Sequence, residues 1–84
     1  MKYYIQNTNA GFIGNSIVFW ALGSNGYTCK LENAEQFDYE EAKKICQGNP
    51  DKNKAWPVDY IDFNKGTARV TDSQYLDDSN IVTF

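Results

Sequence analysis

Apolar positions recur with strand spacing in the first third of the chain and with helix spacing in the middle third. Residues 2–6 read as a first strand, closed by the turn formers Asn7, Thr8, Asn9 and Gly11, with a second break at Gly14-Asn15. Residues 16–22 read as a second strand and are the most apolar stretch. Successive strand side chains point to opposite faces, so Ile17, Phe19 and Ala21 would share one face and Val18, Trp20 and Leu22 the other. Gly23-Ser24-Asn25-Gly26 is a hairpin signal, because Gly and Asn accept positive φ. Residues 27–31 then alternate, with Tyr27, Cys29 and Leu31 facing one way. The opening is therefore expected to be an antiparallel meander.

The helix signal follows. Asp38 stands where a cap is needed, with Glu41 three residues later. Tyr39, Ala42, Ile45 and Cys46 lie on one face at helical spacing, and Gly48 and Pro50 stop the run. A helix over 39–47, packed on one face of the sheet, is predicted. Residues 49–55 read as a polar loop. Pro57 suits either the opening of a helical turn or an edge strand. Residues 58–63 fit neither period well and are read as a strand. Residues 68–71 read as another short strand after a turn at 64–67, and 81–84 as a segment that pairs with a sheet edge or frays. The fold class is α+β: an antiparallel β-sheet of three to five strands with one main α-helix packed on one face, in a single domain over 1–84.

Size sharpens this picture. A domain of 84 residues buries only about 60% of the surface its unfolded chain exposes. A strand apolar on both faces needs two covers, and the second is expected to come from a partner. Val18, Trp20 and Leu22 are the candidate seam of a homodimer.

Net charge is −3, and Arg69 is the one arginine among eight basic residues. Phosphate-backbone binding needs a basic patch, so direct nucleic-acid binding is disfavoured. No apolar run reaches the roughly 20 residues that span a bilayer, and the polar opening does not resemble a signal peptide. Cytoplasmic residence with reduced cysteines is expected. Cys29 and Cys46 read as small core residues, and a disulfide would require their backbones to come close.

Catalytic chemistry is poorly supplied. The chain has no histidine, and two isolated cysteines make neither a zinc site nor a nucleophile pair. Asp59, Asp62, Asp72, Asp77 and Asp78 are candidates for paired carboxylates on count alone, and read as solvated faces and turn formers. No Gly-rich phosphate cradle or calcium loop is present. The expectation is a non-enzymatic protein without metal or cofactor. Binding chemistry is richer, with two Trp, six Tyr and five Phe. Trp20, Tyr27, Trp56 and Tyr60 are the candidate binding aromatics, with Arg69 as the candidate anion contact. Both tryptophans serve equally well as core residues.

The order of motifs resembles a family of small, mostly uncharacterised phage and prophage proteins. The motifs are Tyr3-Tyr4-Ile5-Gln6, Ile13-Gly14-Asn15, Phe19-Trp20, Gly26-Tyr27-Thr28, Glu40-Glu41-Ala42, Trp56-Pro57 before Tyr60, and Val70-Thr71-Asp72-Ser73-Gln74-Tyr75. The resemblance covers roughly residues 3 to 76. It departs at Phe19, where two tryptophans are frequent in the family, and at Lys30, where an acidic residue is common. It carries no residue roles. What it implies is a phage protein acting in the cytoplasm of an infected bacterial host. Accessory phage proteins of this size frequently block host defence. Three expectations follow: an inhibitor occupying a functional surface of a host defence protein, an oligomeric sponge for a nucleotide immune signal, or a minor structural or regulatory phage subunit.

Overall fold

The computed structural model describes residues 1–13, 16–24, 26–65 and 76–84. At its centre lies β1, Tyr3–Asn7, buried along its whole length. It pairs antiparallel over five residues with β6, Asn53–Pro57, from Tyr3 opposite Pro57 to Asn7 opposite Asn53. Its other side meets β4, Phe19–Trp20, at Gln6 opposite Phe19, and β4 pairs with β5, Tyr27–Thr28. The sheet order is β5-β4-β1-β6. Helix α1, Tyr39–Gly48, packs on β1 and β6, which gives the α+β architecture that the hydrophobic pattern predicts. Asp38 caps it, accepting a 2.9 Å hydrogen bond from the Glu41 amide. Ala42 and Cys46 are buried beneath it, while Tyr39 is exposed.

The stretch expected as one strand over 16–22 is divided. β2, Phe12–Ile13, pairs with β3, Ser16–Ile17, in a separate ribbon, and only Phe19 and Trp20 enter the main sheet. The cause lies in β1. Its last pairing toward this side is the Asn7 amide on the Val18 carbonyl, at 2.8 Å. Asn7 then caps a 3-10 turn, Thr8–Ala10, and Gly11 turns the chain away at φ 69°. Ile17 has no β1 residue left to pair with and takes β2 instead. At the other end Leu22 enters a second 3-10 turn, with Gly23 at φ 66°. The third strand is also shorter than the predicted 27–31: the Lys30 amide bonds the Thr28 hydroxyl at 3.0 Å, and Leu31 opens a 3-10 turn.

Cover for each face of the sheet is found within the chain, so the apolar stretch does not by itself call for a partner. Residues 58–63 are not a strand. They belong to α2, Val58–Lys65, which Pro57 launches with its fixed φ. Val58 and Ile61, three residues apart, face the sheet together with Tyr4, Phe19, Trp56 and Leu31. On the opposite face Tyr3, Ile5, Phe37, Ala55 and the α1 residues Ala42 and Cys46 form a second cluster, against which Trp20 packs. Each face of the sheet thus has its own helix. Val18 is buried and Trp20 half-buried, while Leu22 is 51% exposed on a turn, so the three expected seam residues do not form one strand face.

Residues 49–55, expected as a loop, contribute the start of β6, because Asn53 is buried with its amide bonded rather than solvated. Segment 76–84 crosses the outer edge of β6. Leu76 and Ile81 pack on the α2 side and Val82 and Phe84 on the α1 side, and the Val82 amide bonds the Ala55 carbonyl at 2.9 Å. Among the described residues no helix is long and apolar enough to cross a membrane. The break at Gly14-Asn15, the Asn25 position, the strand expected at 68–71 and Arg69 lie outside the described residues.

Candidate binding surface

Alternation along β4 sends Trp20 to the α1 side of the sheet and Phe19 to the α2 side. Helix α1 packs over β1 and β6, so the Trp20 ring lies at its flank. The indole N–H donates to Asn53 Oδ1 at 3.1 Å, and Asn53 Nδ2 donates to the Ile45 carbonyl at 3.4 Å. Asn53, 6% exposed, thus ties β4, β6 and α1 together through one amide.

Across the β4–β5 pairing, Tyr27 stands opposite Trp20 and meets it edge-to-face, 5.9 Å between centroids at 89°. Tyr27 is 44% exposed, and Lys52 Nζ lies 5.7 Å from its ring centroid. That contact is a cation–π pairing at the surface. Beside this pair a groove of about 530 Å³ opens between the last turn of α1 and the sheet. Trp20 and Ile45 form its apolar walls and Asn53 its floor; Glu41, Lys44 and Asn49 stand on the rim. Gly48 lines the groove at an exposed position, where a Cβ would meet nothing within 4 Å.

Trp56 and Tyr60 come together on the other face, stacked at 6.0 Å with 6° between planes. Trp56 is 2% exposed and its indole donates to Gln6 Oε1 at 2.9 Å. As a binding anchor it is a correction: α2 closes over it, and it is core. The Tyr60 hydroxyl accepts from the Asp77 amide at 2.8 Å, which fixes segment 76–84. Of the five expected binding residues, therefore, Trp20 and Tyr27 form one surface, buried Trp56 and half-buried Tyr60 a separate pair on the other face, and Arg69 lies outside the described residues. Lys52, Ile45 and Asn53 join the surface without having been singled out in the sequence. Ile45 alone carried a signal, on the apolar face of the predicted helix.

Titratable groups have structural partners. The Tyr4 hydroxyl donates to Asp62 at 3.2 Å and accepts from Gln36 at 3.5 Å; burial, then the Asp62 charge, push it up from its ordinary value. Burial likewise pushes the Cys46 thiol up, and Lys54 opposes this only in part. A protonated, buried thiol is a poor nucleophile. The Ser79 amide holds the Asp77 carboxyl below its usual range. Among the described residues no three His, Cys, Asp or Glu side chains cluster as a metal site, and Asp72 lies outside them.

Comparison with known protein families, characterised proteins and solved structures finds no match to this chain.

Proposed function

We propose that this chain is a non-enzymatic binding protein that inhibits a bacterial antiviral defence system by occupying a working surface of a defence protein. The observation that carries the binding role is the Trp20–Tyr27 pair, held half-open beside a groove. Trp and Tyr present large area at low conformational cost and dominate interface energetics. Here a buried amide orients the tryptophan from below, so the ring is already fixed before contact. The groove is lined by the Trp20 ring, the aliphatic Ile45 and the amides of Asn49 and Asn53, with Glu41 and Lys44 at its rim, a mixture that suits recognition of a surface. The phage setting comes from the motif order.

Phage plating on bacteria that carry defence systems, with and without this gene, tests the reading. Expression should restore plaques on at least one defended host. Tyr27→Ala should abolish that rescue while the protein stays folded. Native mass spectrometry of the protein recovered from such cells separates protein capture from cargo. An oligomer carrying a few hundred extra daltons would replace this reading with a nucleotide sponge.

A further inference from the structure

Residues 82–84 lie along the outer edge of β6, and their attachment is slight beside that of the strand they cover. β6 pairs with β1 at five consecutive positions, whereas its outer side is met by one isolated bridge, Ala55 with Val82. There the Val82 amide donates to the Ala55 carbonyl at 2.9 Å. Beyond the bridge the fastening is a ring. Phe84 meets Tyr3 edge-on at 6.1 Å and Tyr39 at 5.4 Å between centroids. Val82 and Phe84 are half-buried, Thr83 is exposed, and Tyr39 is 46% exposed.

The residues just before have an anchor of their own on the α2 side. The Asp77 amide donates to the Tyr60 hydroxyl, Asp77 caps the turn Asp78–Asn80, and the Ile81 amide closes that turn on the Asp78 carbonyl at 3.0 Å. Leu76 and Ile81 pack against the cluster around Trp56. The anchored turn thus ends at Ile81, and the chain past it can leave the sheet edge without disturbing the α2 side.

Beneath the segment lies a cavity of about 440 Å³, to which α1 contributes Cys46 and Gln47 and β6 contributes Asn53 and Lys54. Residues 82–84 therefore span a gap rather than rest on filled core, which forfeits dispersion contacts. A segment with few buried apolar contacts and little backbone pairing opens at a lower free energy than the whole fold. We propose that residues 82–84 are a strap that swings off β6 while the rest of the chain stays folded, baring the cavity and the Cys46 thiol. Cys46 is 6% exposed with the strap in place. Cys46 and Gln47 stand off the helical stripe of Glu41, Lys44, Ile45 and Gly48 that lines the Trp20 groove, so the strap controls a different face of α1. This holds whatever the groove binds.

Thiol labelling of the full chain under native conditions tests the strap, in a Cys29→Ser background so that Cys46 alone reports. The reagent is kept dilute enough that reclosing outpaces reaction. The labelling rate should be flat across low urea, because a short opening exposes little surface. Phe84→Ala should speed labelling about tenfold, by removing a half-buried ring. Val82→Pro should speed it about two- to tenfold, the effect of one backbone hydrogen bond. Ile81 is already extended, at ψ 129°, as a following proline requires. Gln6→Ala, which removes the acceptor of the Trp56 indole on the other face, should leave the rate unchanged.

A rate that climbs with urea at the slope of global unfolding overturns the proposal. So does a rate that rises with Gln6→Ala as far as stability falls, since Cys46 then reacts only through the unfolded chain. A rate blind to both strap variants also overturns it, and assigns the exposure to fraying of the last turn of α1. The urea dependence is read with the strap intact, so it decides even where a strap variant fails to fold.

Discussion

The two tryptophans are built alike and end differently. Each is on a strand of the same sheet, donates its indole N–H to a buried side-chain amide on another strand of that sheet, and meets a tyrosine ring about 6 Å away. Trp56 uses Gln6 and stacks with Tyr60; Trp20 uses Asn53 and meets Tyr27 edge-on. The difference is the cover. Helix α2 begins at the residue after Pro57, two residues past Trp56, and folds back over it. Helix α1 packs over β1 and β6 and leaves the Trp20 ring half-open at its flank. Local chemistry thus prepares both rings, and the position of the nearest helix decides which becomes core and which becomes surface.

The largest break in that comparison should come from truncating the rings themselves. Trp56→Ala is expected to cost about 3–5 kcal/mol, the range for a fully buried tryptophan. That is a large share of the roughly 5–15 kcal/mol available to a natural domain. Trp20→Ala should cost about 1–2 kcal/mol, since only part of its surface is buried. Urea unfolding of both variants checks this, and equal costs would show that the two sites do not differ as described.

The amides come next. Gln6→Ala strands the Trp56 N–H away from water and should cost about 1–3 kcal/mol. Asn53→Ala leaves the Trp20 N–H beside an open groove where water replaces the lost acceptor, so the smaller net value of about 0.5–1.5 kcal/mol is expected. Tyr27→Ala sits lower still. An exposed ring contributes within about 0.5 kcal/mol to folding, and yet this variant should lose plaque rescue. A stability loss as large as that of Gln6→Ala would place Tyr27 in the core rather than the working surface.

Acid probes the helix flanking Trp20. The Glu41 amide holds the Asp38 carboxyl below its usual range, so the charged cap is favoured in the folded chain. The stabilisation is complete above the unfolded carboxylate value of about 3.9 and is lost as pH falls through the lower folded value. Asp38→Asn should therefore flatten the acid limb of a melting-temperature curve taken from pH 7 to 2. Identical acid limbs for wild type and variant would remove the cap from the α1 account. Smallest of all, a thiol reagent should modify half-buried Cys29 before buried Cys46.

Much of this fold is legible in local chemistry. Asp38, Glu41 and the spacing of Ala42, Ile45 and Cys46 specify α1, because capping and helical period act within a few residues. The turn formers after residue 6 and the glycines near 23–26 point to an antiparallel opening. Trp20 and Tyr27 stand out by type as candidate binding residues, and pairing across β4 and β5 puts them together. Three features escape that reading. Residues 58–63 show two adjacent apolar residues and no clean period, and they become a helix because Pro57 ends β6 and the exposed face of Trp56 needs covering. The 16–22 stretch divides because β1 runs out of partners at Asn7, a limit set by a different part of the chain. Asn53 reads as a loop residue until Trp20, 33 residues away, and Ile45, 8 residues away, converge on its amide.

By itself, then, the sequence determines the α+β class, the capped helix and the residue types available for binding, since propensity, period and turn chemistry are short-range. Only the tertiary structure decides that each face of the sheet has its own helix, that Trp56 is interior while Trp20 stays half-open, and that Trp20 and Gly48 line one groove. Burial is a property of what lies opposite a side chain, and what lies opposite comes from distant parts of the chain.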